Sequence, residues 1–210
     1  RLAVKALGPG RVARMDLWDH IHAERARLAG LLEGLTPEQW ATRSLCTEWS
    51  VEQVTAHLTA AANTGTWAWI RSIVRSGFST NKHNERLLRK YLGRNHEETL
   101  EMYQRSISLR VAPTKDYAAF LGEVVVHGQD IARPLGKELT PDPVGVVEVA
   151  RFFAAKDFAV NSKTLVKDLR MEAVDAAFES GSGPTVRGNL LDLVMVMAGR
   201  CDYCAALSGE

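Results

Sequence analysis

Glu123 and His127 stand four residues apart in a stretch where Ala119, Phe120, Val126 and Ile131 recur near helical spacing. On a helix the two side chains project from one face, about a turn apart. A carboxylate on a partly apolar face is costly unless it is paired or metal-bound. The spacing lets both groups reach one ion, as in helical-bundle metal sites. His57 lies in another helical stretch, with Val54, Ala60, Ala61 and Thr64 at three, four and seven positions' distance. That face is apolar but built of small residues, which leaves room around the imidazole. Desolvating an unpaired imidazole costs ~1–3 kcal/mol, so position 57 suits either a satisfied core histidine or a metal ligand. Together the three residues make a His2Glu set from two helices. Three protein ligands leave one coordination position open, the catalytic rather than the structural arrangement for zinc. The ligand types suit zinc, with nickel or another divalent ion as alternatives. Asp16 and His20 share the four-residue spacing but lie on the charged side of their helix, where a solvated surface pair is expected.

Other candidates read more plainly. Neither G-x-S-x-G nor a serine–histidine arrangement is visible, so a metal-activated external nucleophile suits the chain better than a nucleophile of its own. Cys201-x-x-Cys204 has the spacing of redox and zinc motifs, but it follows a helix stop and no second such pair accompanies it. Packing or incidental placement is the expected reading. Trp67 and Trp69 read as core or pocket wall, and Arg86–Lys90 as a solvated amphipathic face.

The elements that must carry these residues are mostly helices. Leu17, Ile21, Leu28, Leu31, Leu32 and Leu35 mark a first helix, with Glu24, Arg25 and Arg27 on its other side and Gly34 at its end. Ser50 with Gln53 forms a capping-box signature for a second helix, running to about Ser76. Asn95 with Glu98 opens a third. Thr114 can cap a fourth, through Ile131 and ended by Pro134 and Gly136, and Thr140-Pro141 starts a fifth. Beyond Asn161 the pattern changes. Leu169–Val174 alternates as a strand, Gly181-Ser182-Gly183 turns, and Thr185–Arg187 is expected to return antiparallel. Asn189 and Asp192 cap a last helix over Leu190–Ala198, stopped by Gly199. The expected fold is mainly α: a helical bundle over residues 15–160, then a small α+β region over 161–210 containing a β-hairpin and a helix.

Charge narrows the partners. The chain has 210 residues and a formal net charge of +1, with 46% hydrophobic and 24% charged residues. Residues 1–14 hold Arg1, Lys5, Arg11 and Arg14 and no acid, leaving 22 bases against 25 acids from Met15 onward. A slightly acidic body lacks the footprint of a nucleic-acid binder. No apolar run approaches the ~18 residues of a membrane span, and no apolar stretch follows the basic start to make it a secretory signal. Met15 reads as an initiator and residues 1–14 as an upstream tail. Three cysteines are too few for a disulfide framework, which suggests reducing cytoplasm.

Two segments carry a resemblance. Trp49, Ser50, Val51, Val54, Ala56, His57 and Leu58 resemble one motif of the DinB-like, mycothiol-dependent maleylpyruvate isomerase family. Glu123, His127, Asp130, Ile131, Arg133, Pro134, Leu135 and Gly136 resemble another, with Leu31–Trp40 and the closing Gly199-Arg200 also similar. The resemblance spans about residues 15–210. It implies a four-helix DinB-type bundle with a small C-terminal domain, and a divalent metal, usually zinc, held by His57, Glu123 and His127. It also makes Arg200 a candidate catalytic residue that holds an anionic group of substrate or thiol, against the alternative of a capping or surface arginine. Asp130 is placed to orient a ligand histidine, to pair with Arg133 or to cap locally. The activity implied is activation of a low-molecular-weight thiol, mycothiol, for addition to a small electrophilic substrate, as isomerase or S-transferase. A metal-binding domain without turnover and a metal-dependent hydrolase are the alternatives.

Overall fold

The structure is a computed structural model, and it describes residues 16–46, 49–66, 68 and 80–209. The basic tail with Met15, the end of the second helix near Ser76, Trp67 and Trp69 lie outside the described residues.

Three early helices begin where a side chain can accept from the orphan backbone N–H groups of a first turn. Asp16 forms a capping box with Asp19 ahead of α1 (Leu17–Glu33), Thr36 with Gln39 ahead of α2 (Pro37–Ala41), and Ser50 with Gln53 ahead of α3 (Val51–Asn63). Then follow α4 (Thr80–Tyr91), α5 (His96–Ser106), capped by Asn95, and α6 (Tyr117–Ala132). The next helix, α7 (Pro143–Ala155), starts slightly later than Thr140-Pro141 suggests, because Asp142 supplies the cap and Pro143 the first-turn proline.

Helices α1, α3, α5 and α6 pack around one another as the bundle. Between them lies an apolar cluster that includes Leu28, Leu32, Trp40, Val54, Leu58, Tyr103, Val124 and Ile131. A second cluster joins Ile21 of α1 and Leu121 and Val125 of α6 to Val149 of α7, and continues into Met171, Leu193 and Met195. The C-terminal region therefore shares a core with the bundle.

That region holds a short helix, α8 (Ser162–Leu165), and four strands: β1 (Arg170–Ala173), β2 (Glu179–Gly181), β3 (Thr185–Gly188) and β4 (Ser208–Gly209). Their order in the sheet is β2-β1-β3-β4. The antiparallel partner of β1 is β2, with Met171 opposite Ser180, so the hairpin closes earlier than the Gly181–Gly183 turn. Segment Thr185–Arg187 does not return antiparallel to β1; β3 runs parallel to it on its other side. Glycine makes that crossing possible. Gly181 and Gly183 have φ of +83° and +126°, and a Cβ at either would sit 2.1 Å from the carbonyl oxygen of Leu169 or Asp168. The chain thus passes directly against the start of β1, where a side chain would not fit.

The last helix, α9 (Leu190–Met197), is capped differently from the expectation. Asn189 makes no side-chain cap bond, and Asp175 accepts from the Leu190 N–H at 2.8 Å instead. Gly199, at φ +82°, ends it, and a 3-10 helix over Cys201–Ala206 follows. Among the described residues no helix is long and apolar enough to cross a membrane.

Candidate functional site

Glu123 and His127 face α3 from one side of α6, and His57 reaches them from α3. His57 Nε2 lies 3.1 Å from Glu123 Oε1. The two imidazoles meet nearly edge to face, with centroids 5.1 Å apart and an interplanar angle of 82°. One ligand atom from each of the three residues falls within 4.8 Å of the others. Their side chains are 12% (His57), 25% (Glu123) and 14% (His127) exposed, so the cluster is shielded yet reachable. Trp49 closes one side, its ring 4.9 Å from that of His57.

Asp130 fixes His127. It is fully buried, one turn further along α6, and its Oδ2 lies 2.9 Å from His127 Nδ1. Burial alone would push the Asp130 carboxyl up, but the hydrogen bonds and charges of His127 and Arg200 hold it well below the usual carboxylate range. An ionised Asp130 can only accept, so the network assigns the proton to Nδ1 and leaves the lone pair on Nε2. A carboxylate on the far nitrogen is the usual support of a metal-binding histidine. Burial lowers the pKa of His127 itself, despite the bond it donates to Asp130, which keeps the ring neutral. Burial would also raise Glu123, but the hydrogen bond from His57 and the charges of His57, His127 and Arg25 outweigh it, and the group is lowered.

Arg200 grips Asp130 from the C-terminal segment. Its Nε donates to Oδ1 at 3.0 Å, its Nη2 to Oδ2 at 2.6 Å, and its Nη1 to the Ala198 carbonyl at 2.7 Å. The arginine thus pairs with Asp130 and donates to the carbonyl at the end of α9. Asp130 contacts both His127 and Arg200. Arg133 goes elsewhere, to the Asp202 carbonyl at 2.8 Å and over the Tyr203 ring.

The donor set fits a divalent ion. Two imidazoles and a carboxylate are the ligand types of open zinc sites, and an ion would offset the cost of a carboxylate held largely out of water.

Residues 21–112 match the model of the mycothiol maleylpyruvate isomerase N-terminal domain. Among solved structures, the mycothiol-dependent maleylpyruvate isomerase and a histidine-to-alanine mutant of it each align with TM-score 0.63. Identity is 14% in both cases, over 92% of this chain and 91% of that chain. The chain resembles the mycothiol-dependent maleylpyruvate isomerases. At this identity the likeness to the isomerase structures is one of fold. The isomerase-domain match takes in His57 and stops short of Glu123 and His127. No curated protein matches the chain.

Some neighbours of the cluster were not singled out by the sequence. Cys46 sits beside His127, its Sγ 3.4 Å from Nδ1 and 3.1 Å from Asp130 Oδ2. Burial and the Asp130 charge push its thiol up to about 12, so it stays protonated and donates to Asp130. With His127 and Asp130 it forms a second group of ligand-type atoms that shares the same imidazole. The backbone loop that delivers it is pinned by the Leu45 N–H on the Asp130 carbonyl at 3.0 Å. Nothing periodic marks such a loop residue.

Arg25 and Glu24 are buried rather than on a solvent face. Arg25 donates to the Ser106 and Leu109 carbonyls at the end of α5, at 3.2 and 3.0 Å. Asp16 and His20 do not form a surface pair. Asp16 caps α1, and His20 is buried with Nδ1 2.8 Å from Asp142.

Proposed function

We propose that this chain holds a divalent metal, zinc by ligand type, with His57, Glu123 and His127, and thereby activates a low-molecular-weight thiol of the mycothiol kind for addition to a small electrophilic substrate, as an isomerase or S-transferase. The observation that carries the reading is the convergence of these three side chains with His127 already oriented by Asp130. Bound there, the ion would lower the pKa of a thiol so that thiolate exists at neutral pH.

The chain's own residues prepare that chemistry. Asp130 keeps the Nδ1 proton of His127 in place and leaves Nε2 free to act as a ligand. Arg200 is a positioning residue: by neutralising Asp130 it stabilises the ionised carboxylate that orients the ring. Trp49 shields the His57 edge from bulk water. Cys46, held as a thiol, does not compete as a nucleophile. The attacking sulfur therefore comes from outside the cluster, consistent with the isomerase resemblance.

Elemental analysis of protein purified without a histidine tag tests the reading, and one equivalent of divalent metal is expected. His57→Ala and His127→Ala should each lose it. Cobalt-substituted protein given mycothiol should develop a sulfur-to-metal charge-transfer band. Metal-free protein that takes up no zinc would refute the site, whereas metal without the band would refute thiol coordination.

A further inference from the structure

Cys201 and Cys204 are both exposed, so packing does not explain them. They sit three residues apart on the 3-10 helix Cys201–Ala206, a geometry in which side chains at that spacing eclipse one another. With ~2.0 Å rise per residue their Cα atoms stand roughly 6 Å apart, inside the ~4.4–6.8 Å window of disulfides. Side chains three apart on such a helix lie on one edge, so both thiols fall on the same side of it.

Tyr203, between them, points the other way and anchors the helix. It is buried, donates from its hydroxyl to Gln129 Oε1 at 3.3 Å, and lies under the Arg133 guanidinium, 4.1 Å from the ring centre. One face of the short helix is thus fixed to α6, and the opposite face presents two thiols to solvent. Cys46 differs: it is half-buried and bonded to Asp130.

We propose that Cys201 and Cys204 form a thiol–disulfide exchange site that reduces low-molecular-weight disulfides, closing to an intramolecular disulfide without rearrangement of the backbone. The Cys201 thiolate attacks one sulfur of the small disulfide, forming a mixed disulfide and expelling one thiolate, which takes up a proton. Cys204 then gives up its proton and attacks the Cys201 sulfur, expelling the second small thiol. The pair loses two electrons and two protons, and the small disulfide gains both. Cys201 acts first because burial and the neighbouring Cys201 sulfur raise the Cys204 thiol. Once Cys201 is capped, that neighbour no longer opposes ionisation of Cys204. None of His57, Glu123 or His127 takes part, so the site is independent of the metal reading.

The test is anaerobic incubation of the reduced, full-length protein with oxidised glutathione, followed by acid quench, maleimide trapping and peptide mass mapping. The expected result is a Cys201–Cys204 disulfide with two equivalents of reduced glutathione released per chain, and Cys46 alkylated only after denaturation. Cys204→Ser should stop with glutathione retained on Cys201. A persistent glutathione adduct on the unaltered chain would overturn the proposal. So would failure to release glutathione while both thiols alkylate freely.

Discussion

Arg200 holds both carboxylate oxygens of Asp130, at 3.0 and 2.6 Å, across seventy residues of sequence, and Asp130 holds Nδ1 of His127 at 2.9 Å. The segment beyond the last helix thereby sets the orientation of an imidazole in the bundle. The fork geometry is specific to a guanidinium; a lysine would present a point charge to the same carboxylate.

Removing Arg200 leaves a fully buried carboxylate without its main countercharge. Breaking a buried pair from one side costs about 3–5 kcal/mol. For a chain of this length that lowers Tm by on the order of 10 °C. Arg200→Lys should fall between Arg200→Ala and the unaltered protein. Both variants should also bind zinc more weakly, by ~10–100-fold for the alanine, because His127 is no longer held in one tautomer and pose. Thermal melts and chelator competition measure the two effects. Unchanged zinc affinity in Arg200→Ala would sever the link from Arg200 through Asp130 to the cluster.

Metal loading should stabilise the native chain, since an ion that binds only the folded state adds RT ln(1 + [L]/Kd). At a hundredfold excess over Kd the gain is about 2.7 kcal/mol, or roughly 5–10 °C in Tm at ~2–4 °C per kcal/mol. His57→Ala, Glu123→Gln and His127→Ala should each abolish most of the gain. Calorimetry with and without chelator reads it directly, and equal melting curves for both preparations would contradict it.

Gly181→Ala isolates the crossing between β2 and β3. The backbone there has φ +83°, and the new methyl would sit 2.1 Å from the Leu169 carbonyl oxygen. The left-handed conformation alone costs of order 1–3 kcal/mol for a non-glycine residue, and relief of the clash requires β1 to move. Urea denaturation should show a loss of at least ~1 kcal/mol. Gly136→Ala provides the comparison, because its φ is +60° but nothing lies within 4 Å of an added Cβ. The Gly181 variant should be the more damaged of the two.

The helices were legible because apolar period and capping residues act locally. Ser50 with Gln53 and Asn95 with Glu98 mark helix starts that the structure reproduces. The parallel placement of β3 was not legible, since a Gly-Ser-Gly turn reverses the chain without saying on which side of β1 it lands. Cys46 and Arg200 come from non-helical segments, and their meeting at Asp130 depends on tertiary packing that no spacing encodes. Arg25 and His20 escaped for a related reason. Each lies on the charged side of α1, which is buried because α5, α6 and α7 supply partners for it: carbonyls for Arg25 and Asp142 for His20.

Acid should weaken the metal-free protein in two stages. His127 has its pKa lowered by burial, so the unfolded chain, titrating near ~6.5, binds a proton that the native state refuses. Wherever the unfolded state holds more protons, stability rises with pH and is lost as pH falls. Loss therefore begins below about pH 6.5 and continues down to the lowered native value, at no more than ~1.4 kcal/mol per pH unit for one proton. Asp130 and Glu123 are lowered as well, by the bonds and charges that outweigh their burial. Their contribution is present above their unfolded values of ~4 and is lost as pH falls toward the native ones. Urea midpoints measured on chelated protein from pH 8 to 3 should be level at first, decline below about 6.5 and steepen below about 4.5. His127→Gln removes the first titration while keeping a hydrogen-bonding side chain, so its curve should stay level until the carboxylates protonate. Parallel curves for His127→Gln and the unaltered protein between pH 6.5 and 5 would show that the imidazole is not held neutral by its surroundings.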